Sequence, residues 1–308
     1  MFRFHKARVI IAAHYPNFKY LHYIRPNNPE MMKVSRRKFL DLGIKSVFLI
    51  GAGNSIRALG ADRSFSNPNG QTILRFAIAS DGHYGQPDVK FEQYHTEMIN
   101  WLNIEKDQNS LDFNFINGDL VHDDPKWAQE LKSHFNRLKA PWYVSRGNHD
   151  KMDSVAWEKA WDMPLNYSFI KNNTAFLVLD TANEKGEYIC ADVEWTKNEL
   201  KKLSSFKQLF VFMHITPFSW TANGKPCPQI VELFDKQANL KAVFHGHDHD
   251  QDSFKEHNGK YYFFDSHIGG NWGTDYRGYR IVEVSDTGEI ITYQVNPAEK
   301  KMINTSRI

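Results

Sequence analysis

Short polar motifs rich in Asp, His and Asn recur along this chain, and each one follows an apolar run with the character of a β-strand. Carboxylate and amide oxygens together with imidazole nitrogens are the ligands that suit ions such as Mn, Fe, Zn or Co. The sequence therefore predicts one metal site to which five separate segments contribute. In chain order the motifs are Asp81-Gly82-His83, Gly118-Asp119, Gly147-Asn148-His149-Asp150, His214 and Gly246-His247-Asp248-His249.

The spacing within these motifs fits a centre that holds two ions. Residues i and i+2 of an extended segment point to the same side, so Asp81 and His83 can share one site. A glycine directly before Asp119, and before two of the other polar residues, allows a tight turn and close backbone approach. Two cations about 3.5–4 Å apart clamp phosphate oxygens and generate hydroxide at neutral pH, which is what hydrolysis of a phosphoester requires.

Strand-like and helical segments alternate from residue 72 onward. Such alternation predicts a parallel sheet with right-handed crossovers, whose carboxyl edge carries the ligand site. Strands are predicted at 73–79, 113–116, 142–144, 175–179, 209–213 and 242–244, and helices at 91–102, 127–138, 193–203 and 230–234. Further strands at 253–256, 261–264, 279–284 and 290–294, with turns at 258–259 and 287–288, predict antiparallel hairpins.

Taken together, the five motifs resemble those of the calcineurin-like metallophosphoesterases over about residues 72–285. The resemblance implies an α/β fold, a four-layer α/β/β/α sandwich of two mixed sheets. It also implies two divalent or trivalent metal ions and attack on phosphorus by a metal-bridging hydroxide. In this family pattern the first ion is held by Asp81, His83 and His249, the second by Asn148, His214 and His247, and Asp119 bridges the two. His149 corresponds to the catalytic residue that protonates the leaving oxygen or stabilises the transition state.

Departures from neighbouring families narrow the expected substrate. Ser/Thr protein phosphatases carry a phosphate-gripping Arg after the bridging Asp, and purple acid phosphatases carry an iron-binding Tyr three residues after it. This chain has His122 and Asp123 in that segment. The pattern is most similar to the cyclic-nucleotide phosphodiesterase-like branch, so a small phosphodiester or phosphomonoester is the expected substrate. A nuclease of the same superfamily and a non-catalytic metal-binding scaffold are the alternatives.

Three residues outside the metal motifs are candidates for substrate binding. His122 follows the bridging Asp, and Trp272 and Tyr276 are available to stack on a base or ring. The alternative interpretation of both segments is a plain surface loop. Asp150 is expected to cap the next helix or to form a local hydrogen bond.

Composition limits the partners of the chain. Its 308 residues hold 38 Lys and Arg against 36 Asp and Glu. Residues 1–60 contain 11 of these basic residues and only 2 acidic ones, so the remainder has an acidic excess. Nucleic acid is therefore not an expected partner, because sequence-independent binders cluster Lys and Arg. Cys190 and Cys227, the two cysteines, either form one disulfide or remain separate thiols; their spacing leaves both open.

The amino-terminal segment resembles a twin-arginine export signal. Arg36-Arg37 precedes a short apolar stretch at 47–53, and small residues at 58–60 suit cleavage. Residues 1–30 are interpreted as a start-site artefact or extension, 31–60 as the signal, 61–70 as a linker, 71–297 as the metallophosphoesterase domain and 298–308 as a tail. An exported, periplasmic protein without a membrane anchor in its mature chain is expected, and a basic amphipathic helix is the alternative.

Overall fold

The computed structural model describes residues 20–25, 28–35, 47–50, 56–59, 70–299 and 301–308. The chain divides into two units, Met1–Asp62 and Arg63–Ile308. In the first unit two antiparallel strand pairs are described: β1 (Tyr20–Arg25) with β2 (Asn28–Ser35), and β3 (Val47–Ile50) with β4 (Ile56–Leu59). The predicted twin-arginine pair and most of the predicted extension and linker lie outside the described residues.

The second unit contains the predicted alternation of strands and helices. Its described helices are α1 (Phe91–Asn109), α2 (Ala128–Phe135), α3 (Ser154–Trp161), α4 (Val193–Leu203) and α5 (Pro228–Lys236). Its first eight strands are β5 (Thr72–Ala79), β6 (Phe113–Asn117), β7 (Trp142–Ser145), β8 (Tyr167–Lys171), β9 (Thr174–Leu179), β10 (Leu209–Met213), β11 (Leu240–His245) and β12 (Phe254–His257). The last four are β13 (Lys260–Phe264), β14 (Tyr279–Ser285), β15 (Ile290–Asn296) and β16 (Lys301–Arg307).

These strands form two mixed sheets of six strands each. Sheet I has the order β16-β15-β14-β5-β6-β7, and sheet II has the order β12-β13-β11-β10-β9-β8. The strands β5, β6 and β7 are parallel in sheet I, as are β9, β10, β11 and β13 in sheet II. The remaining strands pair antiparallel at the flanks of these parallel centres.

Alternation of side chains along the strands builds a four-layer sandwich. In β5, Phe76 and Ile78 belong to the core between the sheets, whereas Ala77 belongs to the core that also contains α1, α2 and α3. In β10, Phe212 faces the inter-sheet core and Val211 faces the core with α4 and α5. Both faces of each sheet centre are thus covered, which explains why these strands are almost continuously apolar. The predicted α/β/β/α fold is confirmed.

Aromatic rings dominate the core between the two sheets. Phe115 of sheet I stacks on Phe212 of sheet II with ring centroids 3.7 Å apart, and Phe76 lies edge-on to Phe176 at 5.4 Å. Burying each phenyl ring contributes roughly 1.5–3 kcal/mol to folding. These contacts fix the two sheets against each other and so fix the distance between the strand ends that carry the polar motifs.

All the predicted helices and strands of the second unit are present, α4 and β10 with the predicted bounds and the others with shifted ends, but one α-helix and two strands were missed. α3 has only eight residues and is specified by a cap, since the Asp153 carboxylate accepts a hydrogen bond from the Ala156 amide at 2.7 Å. β8 is a half-exposed hairpin partner of β9. β16 pairs antiparallel with β15, which corrects the assignment of 298–308 to a tail. Its polar sequence gives no strand signal, so pairing with β15 defines the strand.

None of the helices in the described ranges combines the length and hydropathy needed to cross a bilayer.

Candidate metal centre

The polar motifs converge where the carboxyl ends of strands from both sheets meet. The Asp81 and Asp119 motifs follow β5 and β6 of sheet I, and the Asn148 motif follows β7. His214 follows β10, and the His247 motif follows β11 of sheet II. The location agrees with the rule that open α/β sheets bind ligands beyond the carboxyl ends of their strands.

One group of converging side chains consists of Asp81, His83 and His249, all fully or almost fully buried. Nε2 of His249 lies 3.0 Å from Nε2 of His83 and 3.1 Å from a carboxylate oxygen of Asp81. Burial lowers the pKa of His83 to about 3, so this imidazole is neutral and its nitrogen can act as a ligand.

A second group consists of Asp119, His214 and His247. Asp119 Oδ2 lies 3.2 Å from Nε2 of His214 and 3.7 Å from Nε2 of His83, which places this carboxylate between the two groups. Burial alone would lower the pKa of His214, but Asp119 and Asp81 overcome it and raise this pKa to about 10. Burial lowers the pKa of His247 to about 4. The carboxylates of Asp119 and Asp81 thus stabilise positive charge at this point.

Hydrogen bonds at the far nitrogens fix the orientation of the imidazoles. Nδ1 of His214 donates to the carbonyl of Asn117 at 2.7 Å, and Nδ1 of His249 donates to the carbonyl of Trp272 at 3.2 Å. In both rings Nε2 is therefore directed at the carboxylates. This arrangement, in which a ligand histidine donates its other N–H to a carbonyl, is typical of metal sites.

The backbone at three of the candidate ligand positions is strained. Asp81, Asp119 and His247 have φ angles of 57°, 50° and 66°, a region that non-glycine residues adopt at a cost of about 1–3 kcal/mol. Gly118 has φ 82°, and a Cβ there would lie 2.4 Å from Nδ1 of His214. The close approach predicted for the glycine before Asp119 is thus confirmed, and it is what lets His214 reach the carboxylate.

The donor set fits metal ions. Nitrogens 2.0–2.1 Å from one ion are expected roughly 3.0–3.4 Å apart, which matches the distance between His83 and His249. Within the described residues, Asn148 Oδ1 and His247 Nε2 are buried without a hydrogen-bond partner. Such atoms are costly unless something else satisfies them, and both belong to the predicted set for the second ion.

The structure places the predicted catalytic residue at the solvent side of these groups. The His149 side chain is 28% exposed, and its backbone amide donates to Asp119 at 2.8 Å. Its Nδ1 donates to the Asp123 carboxylate at 2.9 Å, which also pairs with Lys151 at 2.7 Å. Burial would raise the pKa of Asp123, but Lys151 and His149 lower it, so the carboxylate stays charged and orients the imidazole.

His122, one of the predicted substrate residues, lies beside both the candidate ligand His83 and the predicted catalytic residue His149. Its Nδ1 is 3.0 Å from Nδ1 of His83, and its ring stacks on that of His149 with centroids 4.9 Å apart. The interpretation of this segment as a plain surface loop does not apply to His122. It does apply to Asp124, which caps the 3₁₀ helix Pro125–Trp127.

The other two predicted substrate residues differ in position. Trp272 stacks on His249 with centroids 4.4 Å apart and is 44% exposed. The hydroxyl of Tyr276 instead donates to Asp252 at 3.1 Å, and none of the contacts described for it reaches the metal-ligand candidates. Its expected place beside the substrate is therefore not supported, because the loop directs its phenol ring to a different partner.

Sequence reasoning missed Tyr188, whose ring lies edge-on to His247 with centroids 4.8 Å apart. The same loop contains Cys190, which forms a disulfide with Cys227 at the start of α5. No sequence motif marks Tyr188, and only the link between the cysteines could have indicated that this loop is held against the site.

Asp150 has the local structural role expected of it. Its two carboxylate oxygens accept hydrogen bonds from the amides of Val121 at 2.9 Å and Gly147 at 2.7 Å. Burial, with the nearby charge of Asp119, raises the pKa of Asp150 to about 7. The carboxyl group joins the segments that carry Asp119 and the candidate ligand Asn148.

Two mixed sheets with helices on their outer faces and this carboxylate–imidazole centre are the architecture of the metallophosphoesterases. Residues 74–251 match the family model of the calcineurin-like phosphoesterases, and the chain belongs to that family. No curated protein is significantly similar in sequence.

Two solved structures illustrate the likeness of the fold. A dimetal phosphatase from zebrafish (Danio rerio) has a TM-score of 0.61 at 8% identity, covering 77% of this chain and 99% of that one. The purple acid phosphatase PPD1 from yellow lupin (Lupinus luteus) seeds has a TM-score of 0.58 at 13% identity, covering 78% of this chain and 54% of that one.

Proposed function

We propose that this protein is an exported, binuclear-metal-dependent phosphohydrolase that cleaves small phosphodiesters or phosphomonoesters. The observation that carries the proposal is the position of Asp119. Its Oδ2 lies between Nε2 of His214 and Nε2 of His83, at 3.2 and 3.7 Å, as a bridging carboxylate must.

The two groups of side chains define which residues would hold each metal ion. Asp119 would contribute to both ion sites. When bound, the two cations would supply a hydroxide nucleophile at neutral pH and neutralise charge on the phosphate oxygens. The first ion would be held by Asp81, His83 and His249, and the second by Asn148, His214 and His247; Mn, Fe, Zn and Co all suit these donors.

His149 is proposed to protonate the leaving oxygen. Because Nδ1 donates to Asp123, the opposite nitrogen Nε2 is free to hold or release a proton toward the substrate. Asp123 is a positioning residue, which fixes the tautomer of His149 and is itself fixed by Lys151. When Nδ1 of His83 donates to Nδ1 of His122, Nε2 of His122 becomes a donor available to a phosphate oxygen.

Within the family, we propose that the chain belongs to the cyclic-nucleotide phosphodiesterase-like branch. It is supported by the Asp-x-His, Gly-Asn-His-Asp and His-x-x-Pro patterns and by the absence of Arg and Tyr from the segment after Asp119. The acidic excess of residues 61–308 argues against nucleic acid as the substrate.

Export is supported by two observations. The twin-arginine-like sequence Ser35-Arg36-Arg37-Lys38-Phe39-Leu40 is one, and the Cys190–Cys227 disulfide is the other, since disulfides persist in oxidising compartments. Substituting both arginines with Lys is expected to retain the protein in the cytoplasm. Secretion of that variant at the normal level would contradict export by this route.

The experiment that tests the function compares two chromogenic esters. The Mn²⁺-loaded full chain should hydrolyse bis-p-nitrophenyl phosphate, p-nitrophenyl phosphate or both, and chelator should abolish the activity. Preference for the diester supports the phosphodiesterase branch, whereas preference for the monoester indicates a general phosphatase. The control is Asp119→Asn, which keeps the shape of the side chain and removes its charge. Turnover that survives both chelation and this substitution would overturn the proposal.

A further inference from the structure

Trp272 has an unusual environment for an exposed indole. One of its faces is parallel to the imidazole of His249, with an interplanar angle of 4° and centroids 4.4 Å apart, and its centroid is 5.1 Å from that of His83. It nevertheless remains 44% exposed. A large aromatic ring therefore borders the first metal group and presents its free surface to solvent.

The loop that carries Trp272 is fastened to the ligand motifs. The amides of Ile268 and Gly269 donate to the carbonyls of Ser80 and Asp81 at 2.9 and 2.8 Å, and the amide of Thr274 donates to the carbonyl of His249 at 2.9 Å. A Cβ at Gly269 would lie 1.8 Å from the carbonyl oxygen of Gly82, so the two segments touch. The position of the indole is thus fixed before any ligand arrives, which lowers the entropic cost of binding.

Shielding of His249 alone does not account for a tryptophan here. A smaller apolar side chain would cover the imidazole with less exposed apolar surface. An exposed apolar surface beside a binding site is typical of a surface that a ligand covers. Planar rings stack on indole whatever their hydrogen-bonding pattern.

We propose that the substrate carries a planar aromatic group close to its phosphorus, as a nucleoside phosphate does, and that this ring stacks on the free face of Trp272. The inference rests on the proposed function of the metal centre. It identifies Trp272 as a residue that determines specificity, and it makes the base, rather than the sugar, the part of the ester that is recognised.

The test uses substrate pairs that differ only in the ring. Adenosine 5′-monophosphate and ribose 5-phosphate have the same ester linkage, and their methyl diesters form a second pair. With the Mn²⁺-loaded full chain, kcat/KM should favour the adenosine compounds by about 5- to 150-fold, the range of one base stacked on an aromatic side chain. Trp272→Ala should bring this ratio close to one, mainly through KM, and Trp272→Phe should keep most of it.

The matched control is Trp220→Ala. Trp220 stacks on Phe218 with centroids 3.7 Å apart and should not affect the ratio. A ratio near one in the wild type, or a ratio that Trp272→Ala leaves unchanged, would overturn the inference. Hydrolysis of p-nitrophenyl esters without hydrolysis of either pair would overturn the inference that a nucleoside base is recognised, while it leaves the proposed function intact.

A binding measurement separates this inference from the proposed function. In the Asp119→Asn chain, calorimetry should show tighter binding of adenosine 5′-monophosphate than of ribose 5-phosphate, and adding Trp272→Ala should remove the difference. That result supports the stacking site even if no ester is hydrolysed. Equal affinities, or no binding of the nucleotide, would contradict it.

Discussion

The centre has two regions with different physical character. The floor consists of the seven metal-ligand candidates, Asp81, His83, Asp119, Asn148, His214, His247 and His249, of which all but His247 are buried. The rim consists of the more exposed residues His122, Asp123, His149, Lys151, Tyr188 and Trp272. Floor residues follow the strand ends, whereas rim residues come from loops. The rim residues contact either one another, as His149, Asp123 and Lys151 do, or a floor imidazole, as Tyr188 and Trp272 do. The comparison suggests that the floor determines whether chemistry occurs and the rim determines how fast and on which ester.

The largest effect is expected from the floor residue Asp119. Asp119→Asn removes the charge shared by both groups, while Asn tolerates the positive φ of this position. Activity should fall at least about 10⁴-fold, because the ions contribute several kcal/mol to stabilising the transition state. Steady-state kinetics on p-nitrophenyl esters would measure the loss, and circular dichroism would check folding. Near-normal turnover in a folded variant would show that Asp119 is not required by the metal centre.

A large but different loss is expected at the rim residue His149. His149→Ala should reduce kcat about 10²–10⁴-fold, the range for a general acid, with metal content unchanged. Elemental analysis beside the kinetics separates the two regions. If metal content falls together with activity, His149 belongs to the floor and the division is wrong.

A smaller loss is expected at Asp123, which positions His149 without touching the substrate. Asp123→Asn should reduce kcat on the order of 10-fold and alter the limb of the pH–rate profile that reports the acid. An unchanged profile would mean that the hydrogen bond between Asp123 and His149 has no catalytic role. Asp124→Asn, at the exposed helix cap, is the matched control.

The smallest stepwise effect is expected in the pH dependence of metal affinity, which should change gradually with pH. His214, with a pKa raised to about 10 in the metal-free protein, is protonated at neutral pH and must lose a proton to bind an ion. Affinity should therefore rise with pH, by up to about tenfold per unit below pH 10 from this group. His247, with a pKa lowered to about 4, should contribute nothing near pH 7. Calorimetry in buffers of different ionisation enthalpy should detect the released proton, and its absence would contradict the charge balance described for the floor.

The same division separates what could be predicted from the sequence from what could not. The floor residues are recognisable because each polar motif follows an apolar strand, and the carboxyl ends of strands from both sheets bring these motifs together. The rim depends on loop conformations that no local pattern encodes: Tyr188 carries no motif, and Tyr276 was expected at the site but hydrogen bonds to Asp252. The fold follows the same rule. The amphipathic helices and apolar strands were predicted, whereas α3, β8 and β16 depend on a cap or on a pairing partner.

The central claim, that the floor holds two ions joined by Asp119, is tested most directly by counting them. Elemental mass spectrometry on Mn²⁺-reconstituted protein should give two ions per chain, and electron paramagnetic resonance should show that they are exchange-coupled. In Asp119→Asn the coupling should disappear. One ion per chain, or two ions without coupling in the wild type, would contradict the account.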